Sequence, residues 1–171
     1  MDDSLARDFD RLEEGGRFRS RGRTITESDL VSFATLTGDF HPLHTDAEWA
    51  AESEFGGRIA HGALLLSYCV GLVPFDPRHV LALRGFERVA FKRPVRIGDT
   101  IHVEGELESK KELDAAAGLV VFGWRIVNQR GEAVALAKVR VVWRRDPAPA
   151  ADAAPDPDPA PAASPRREVY L

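Results

Sequence analysis

The run from His61 to Val73 constrains this chain more than any other segment. Ala63, Leu64, Leu65, Leu66, Tyr68, Cys69, Val70, Leu72 and Val73 leave it without a polar face. A helix that is apolar all round must be covered on every side. The run is interrupted by Ser67 and is well short of the ~20 residues that cross a bilayer, so the cover has to be protein. A chain of 171 residues is sized for one domain, and there a sheet must wrap the helix. The downstream sequence supplies that sheet. Val80–Leu83 and Phe86–Phe91 are β-rich, and Ile101, Val103 and Leu107 alternate with His102, Glu104, Glu106 and Glu108. Val120, Phe122, Trp124 and Ile126 make one face of the next strand, and Ala137, Val139, Val141 and Trp143 one face of the last. Asn128-Gln129-Arg130-Gly131 predicts a hairpin turn between these two, so the final three strands are expected to be antiparallel.

Upstream, Arg17 to Thr24 reads as a short strand or extended segment. Thr26-Glu27-Ser28-Asp29 has the form of a capping box with Asp in place of Glu. Leu30, Phe33, Ala34 and Leu36 follow at helical spacing and Gly38 ends the pattern, which predicts a helix over Glu27–Thr37. Gly38 to Thr45 reads as a loop, and Asp46 as the cap of a short helix, Ala47–Glu52. Helices, then a buried helix, then long antiparallel strands make an α+β fold: a curved antiparallel sheet wrapped around a central buried helix. Residues 1–16 carry charge without a clean period and are expected as a loosely attached N-terminal arm, with the folded body over 17–145. Residues 146–171 hold seven of the eleven prolines, eight alanines and four aspartates. A segment of that composition has little to bury and is expected to be disordered or extended.

Lys and Arg number 23 against 27 Asp and Glu, a net charge of −4. Two arginines against five acids in the last 26 residues account for most of it. Nothing here favours a nucleic-acid partner, which calls for a basic surplus or a basic face. A single cysteine, Cys69, allows no internal disulfide and no multi-cysteine metal site, and suits a reducing compartment. Inside an apolar helix it reads as a small core residue with an inert thiol. The acidic start Met1-Asp2-Asp3-Ser4 is not that of a signal peptide. The expectation is a soluble, cytoplasmic protein with no membrane partner.

The chemistry concentrates in Gly38-Asp39-Phe40-His41-Pro42-Leu43-His44. A carboxylate and an imidazole five residues apart, on a loop stiffened by proline, can converge on one water and move its protons. Downstream, Ala60-His61-Gly62 opens the apolar helix. A glycine at a helix N-terminus lets a ligand come close to backbone N–H groups suited to a polarised carbonyl oxygen. These residues resemble the MaoC-like (R)-specific enoyl-CoA hydratases of the hotdog superfamily, whose signature is G-D-x-N-P-x-H followed by a helix that opens with H-G. The resemblance runs from about Arg17 to Trp143 and includes Pro94 to Thr100, similar to the strand–turn–strand element after the family's central helix.

The resemblance implies a single hotdog domain that pairs through a sheet edge, here a homodimer. It implies Asp39 and His44 as the catalytic pair holding the attacking water, and Gly62 as the amide donor to the thioester oxygen. His41 and His61 are the further candidates for lining the oxyanion and substrate site. No metal and no cofactor are implied; the substrate would carry coenzyme A or a carrier phosphopantetheine. The reaction would interconvert trans-2-enoyl and (R)-3-hydroxyacyl thioesters. The alternatives are a dehydratase acting on a carrier-bound polyketide or fatty-acyl intermediate, and a catalytically weak acyl-thioester-binding partner subunit. A thioesterase fits less well, because the central helix carries no acidic residue.

Two positions depart from the family pattern. His41 stands where Asn is usual, and Val70 where some hydratases carry a serine, a role that does not transfer to Ser67. His61 reads either as a helix-entry residue bonding locally or as a lining residue of the site. Lys92, Arg93 and Arg96 suit either the phosphates of coenzyme A or the protection of a strand edge. Asp39 with His41, His44 and His61 could be taken for a metal set, but H-x-x-H in a loop is a weak signal. Trp49, Trp124 and Trp143 read as core or interface aromatics.

Overall fold

In a computed structural model of the protein, residues 5–145 are described; the sequence reading of 146–171 lies outside them. Six strands form one antiparallel sheet: β1 (Arg17–Arg19), β2 (Arg23–Thr24), β3 (Val80–Phe91), β4 (Thr100–Glu112), β5 (Ala117–Asn128) and β6 (Ala133–Arg144). Their order is β1-β4-β5-β6-β3, with β2 also pairing β4. Among the described residues four α-helices accompany them, α1 (Glu27–Thr37), α2 (Pro42–Thr45), α3 (Ala47–Glu52) and α4 (Gly62–Leu72), with a short 3-10 turn at Phe9–Arg11. This is the hotdog arrangement, a curved sheet folded about α4.

Alternation decides what the sheet holds. Ile101, Val103, Val120, Phe122, Trp124, Ile126, Val139, Val141 and Trp143 point inward, and none is more than 2% exposed. They pack in one core with Leu64, Leu65, Cys69 and Leu72 of α4, each fully buried side chain of this size contributing ~1.5–3 kcal/mol. The alternate positions point outward and pair across strands: Arg17 with Glu106 at 2.9 Å, Arg125 with Glu104 at 2.6 Å, Arg140 with Glu87 at 2.6 Å, and Lys138 with Glu108. Such exposed ion pairs contribute little each; they keep the outer face wet.

Helix α1 has the predicted bounds and the predicted reciprocal cap. Asp29 N donates to Thr26 Oγ1 and Thr26 N donates to Asp29 Oδ2. Gly38 ends it in the left-handed conformation, φ 77°, which favours glycine. Asp46 caps α3 through Trp49 N.

Four features differ from the sequence reading. Segment 38–45 is not wholly a loop: Pro42–Thr45 makes one helical turn, because His41 caps it through Leu43 N and Pro42 sits at its first position. The two β-rich stretches are one strand, β3, with register shifts between Val80 and Ala82, Leu83 and Gly85, and Glu87 and Ala90. The bulges hide the period, and the last places Arg88 at φ 51°. Helix α4 is not covered on every side within one chain: Ala63, Ser67, Val70 and Gly71 form an exposed stripe, with Val70 36% exposed. The sheet wraps only the opposite side.

The fourth difference concerns the arm. Leu5, Phe9 and Leu12 are no more than 4% exposed and belong to the core. Phe9–Arg11 forms only a single 3-10 turn, so these three apolar residues follow no regular period among the charges between them. Lys110 Nζ donates to the Phe9 and Asp10 carbonyls at 3.0 and 3.1 Å, and Trp143 Nε1 donates to Arg7 O at 2.8 Å. Segment 5–12 is therefore packed onto the sheet. Among the described residues no helix is long and apolar enough to cross a membrane.

Candidate active site

The α1–α2 connection, the segment before α4 and the N-terminus of α4 meet at one place. His44, on α2, bonds through Nδ1 to the carbonyl of Ile59 at 2.8 Å. A carbonyl only accepts, so the proton of a neutral His44 sits on Nδ1 and Nε2 keeps its lone pair. The return bond Ile59 N to Leu43 O, 3.2 Å, ties the same two segments together. Burial, the largest influence, pushes the His44 pKa below its ordinary value; the Ile59 carbonyl and the Asp39 charge oppose this, while His61 and His41 add to it. His44 is consequently a neutral base at pH 7.

His61 lies behind it. It is 2% exposed, its ring stacks on His44 with centroids 3.8 Å apart, and Nε2 donates to the Asp39 carbonyl at 3.1 Å. Phe33 of α1 packs on the His61 ring, with 5.0 Å between centroids. The buried imidazole thus braces the backbone that carries Asp39. Asp39 itself is exposed, and its Oδ1 accepts from His41 N at 3.3 Å. Asp39, His44 and His61 each place one potential ligand atom within 4.8 Å of the others. His61 Nε2 is engaged with the Asp39 carbonyl, while His61 Nδ1 is buried without a hydrogen-bond partner among the described residues.

The carbonyl-binding side is open. His61 makes no side-chain cap to α4, so the first N–H groups of the helix, beginning at Gly62, have no partner within it. A cavity of about 400 Å³ adjoins them, lined by His44, Phe55, Ile59, Gly62, Leu65 and Phe91 and continuing to Lys92 and Arg93. Its size falls within the range of small-ligand sites. A larger cavity, about 970 Å³, lies over the outward side chains of the sheet. Its carboxylates are matched by arginines and lysine, and no histidine lines it, whereas His44 and the N-terminus of α4 line the smaller cavity, which is the candidate site.

Of the other sequence candidates, His41 caps α2 and packs edge-on against the half-exposed Trp49, centroids 5.6 Å apart. Lys92 and Arg93 stand at the cavity, Arg93 also reaching Ala133 O at 3.1 Å. Arg96 is directed elsewhere, onto the Phe55 carbonyl. Val70 and Ser67 lie on the exposed stripe of α4, with Ser67 Oγ donating to Ala63 O. Cys69 is fully buried, and burial pushes its thiol up to about 12. As site residues Phe55 and Phe91 escaped the sequence reading: Phe55 stands beside Gly56-Gly57 without a period, and Phe91 reads only as the end of a β-rich stretch. Tyr68 is a further surprise: its hydroxyl donates to Asp29 Oδ1 at 2.5 Å and Arg23 lies 3.7 Å over its ring, joining α4 to α1.

Comparison with known proteins places the chain in a family. A family model described as MaoC like domain matches residues 11–122. Protein MaoC of Klebsiella aerogenes is 44% identical over 96 residues, 56% of this chain and 29% of that one, so this chain spans less than a third of its length. An (R)-specific enoyl-CoA hydratase of Rhodospirillum rubrum is 32% identical over 143 residues, 81% of this chain and 97% of that one. A solved protein from Archaeoglobus fulgius, described as a monoamine oxidase regulatory protein, superposes with a TM-score of 0.77 at 40% identity, over 82% of this chain and 95% of its own. With its family matched over more than half its length, the chain belongs to the MaoC-like domain family, whose relatives named as hydratases and dehydratases are carbon–oxygen lyases.

Proposed function

We propose that the protein adds water reversibly to trans-2-enoyl thioesters, giving (R)-3-hydroxyacyl thioesters, with coenzyme A as the carrier. The observation that carries this reading is the tautomer of His44: Nδ1 held by the Ile59 carbonyl leaves Nε2 basic, on a ring with one nitrogen within 4.8 Å of an Asp39 carboxylate oxygen. Water sits between the two groups. As its oxygen bonds to C3 of the substrate, His44 Nε2 takes one of its protons while Asp39 holds the other, which stays on the new hydroxyl. Electron density moves from the double bond to the thioester oxygen, where Gly62 N–H stabilises it. Donors of this kind contribute ~3–4 kcal/mol to catalysis. The proton on His44 then passes to C2, so one water has been added and the base is restored. Dehydration is the reverse.

Lys92 and Arg93 at the cavity suit the phosphates of coenzyme A. The working unit in this reading is a homodimer, supported by the unpaired edge of β3 and its exposed Leu81, Leu83 and Val89. The test is to incubate the purified protein with enoyl-CoAs of increasing chain length and follow loss of the conjugated thioester absorbance. Turnover is expected for at least one chain length, with the (R) product; no turnover with any of them contradicts the proposal.

A further inference from the structure

Gly62 is a glycine for a reason that its backbone does not supply. Its φ is not among the positive values found at Gly15, Gly38, Gly56, Gly57, Gly98 and Gly131, so any residue could adopt its conformation. Space is what forbids a side chain there. A Cβ at Gly62 would stand 2.5, 2.7 and 2.9 Å from Cζ, Cε2 and Cε1 of Phe91, far inside the ~3.5–4.0 Å of carbon–carbon contact. The tip of the Phe91 ring occupies the place where the first side chain of α4 would begin, directly beside the first free N–H of that helix.

Phe91 is well placed to hold that position. It ends β3, paired with Ala135 of β6, and the next two backbone N–H groups, of Lys92 and Arg93, both donate to Val134 O. The backbone is fixed, so only side-chain rotation can move the ring. Yet the residue is 52% exposed, because it borders the cavity and is not sunk in the core. An aromatic ring beside the helix start gives a bound thioester an apolar surface to pack against.

We infer that Phe91 is the apolar wall of the thioester subsite, and that Gly62 is glycine in order to seat this ring beside the oxyanion donor. The inference rests on the reading that the thioester oxygen binds Gly62 N–H. Phe91 is a positioning residue that packs against the thioester group, so it governs how well the substrate is held more than how fast it reacts. A methyl group at Gly62 cannot share the space that the ring tip holds, so it crowds both the ring and the approach to the donor. Shortening the ring to leucine makes room for that methyl group and restores access.

The test compares wild type, Gly62→Ala, Phe91→Leu and the double variant by crotonyl-CoA hydration and by thermal melting. Phe91→Leu is expected to raise KM about tenfold, the scale of a lost apolar contact in a pocket, with kcat within about twofold. Gly62→Ala is expected to lower kcat/KM by about a hundredfold, the scale of losing one oxyanion donor. The double variant should recover at least about tenfold of that loss, well outside the additivity of independent sites. Wild-type kinetics in Phe91→Leu, or a double variant no better than Gly62→Ala, overturns the inference. If wild type hydrates no enoyl-CoA, the functional reading fails and takes the subsite with it. Melting then still decides the pairing. Alanine normally favours a helix over glycine, so a lower melting temperature in Gly62→Ala that Phe91→Leu restores supports it, and no restoration refutes it.

Discussion

Two carbonyl oxygens orient the imidazoles of the candidate site: Ile59 O fixes His44, and Asp39 O fixes His61. Because His44 is held below its ordinary pKa, chiefly by burial, the base stays unprotonated to a lower pH than a free histidine. The acid limb of kcat/KM is expected to have its midpoint below ~6.5. Linkage has the same sign: the unfolded chain binds the proton more readily, so this residue's contribution to stability declines as pH falls through that range. His61→Phe keeps a buried ring on His44 but loses the bond to Asp39. It should reduce kcat about tenfold or more, the lower reach of a positioned acid–base group. Since His61 lowers the pKa of His44, its removal should also move the acid limb to higher pH. A pH–rate profile checks both, and an unchanged acid limb contradicts a role for His61 in tuning His44.

At the scale of elements, α4 and the arm decide stability. Leu65 is 3% exposed and faces the sheet, whereas Leu66 is only half-buried. Leu65→Ala should therefore cost ~2–5 kcal/mol and Leu66→Ala distinctly less. Phe9→Ala should cost about 3–5 kcal/mol, because its ring lies where a side chain on Gly118 would be, 2.1 Å from that Cβ position. Denaturant unfolding measures all three; equal small losses would mean that neither element is packed as described. The strands β4 to β6, the cap of α1 and the approach of Asp39 to His44 were legible because each rests on local chemistry: alternation, a reciprocal hydrogen bond, a proline beside paired titratable groups. The arm, the stripe on α4 and the wall at Phe91 were not, because each depends on what another part of the chain brings against it. Leu5, Phe9 and Leu12 are recognisable as core only once the sheet they cover is known. The bulges of β3 erase its period in the same way, leaving two short β-rich pieces where one strand runs.

For the whole molecule, the unpaired edge of β3 and the exposed stripe of α4 leave apolar surface at Leu81, Leu83, Val70 and Val89. Native mass spectrometry is expected to show a dimer, and Leu83→Lys on the exposed edge to shift it toward monomer; a wild-type monomer contradicts the proposed homodimer. Catalysis tests the account as a unit, because it requires fold, loop and helix terminus together. Asp39→Asn and His44→Gln nearly preserve shape, and circular dichroism should show both variants folded. The decisive measurement is enoyl-CoA hydration by these variants, singly and combined. Each single change should lower kcat by ~10²–10⁴-fold, with the double variant little worse than the worse single, since the two groups hold one water. Folded Asp39→Asn and His44→Gln proteins that both turn over at the wild-type rate would contradict the mechanism.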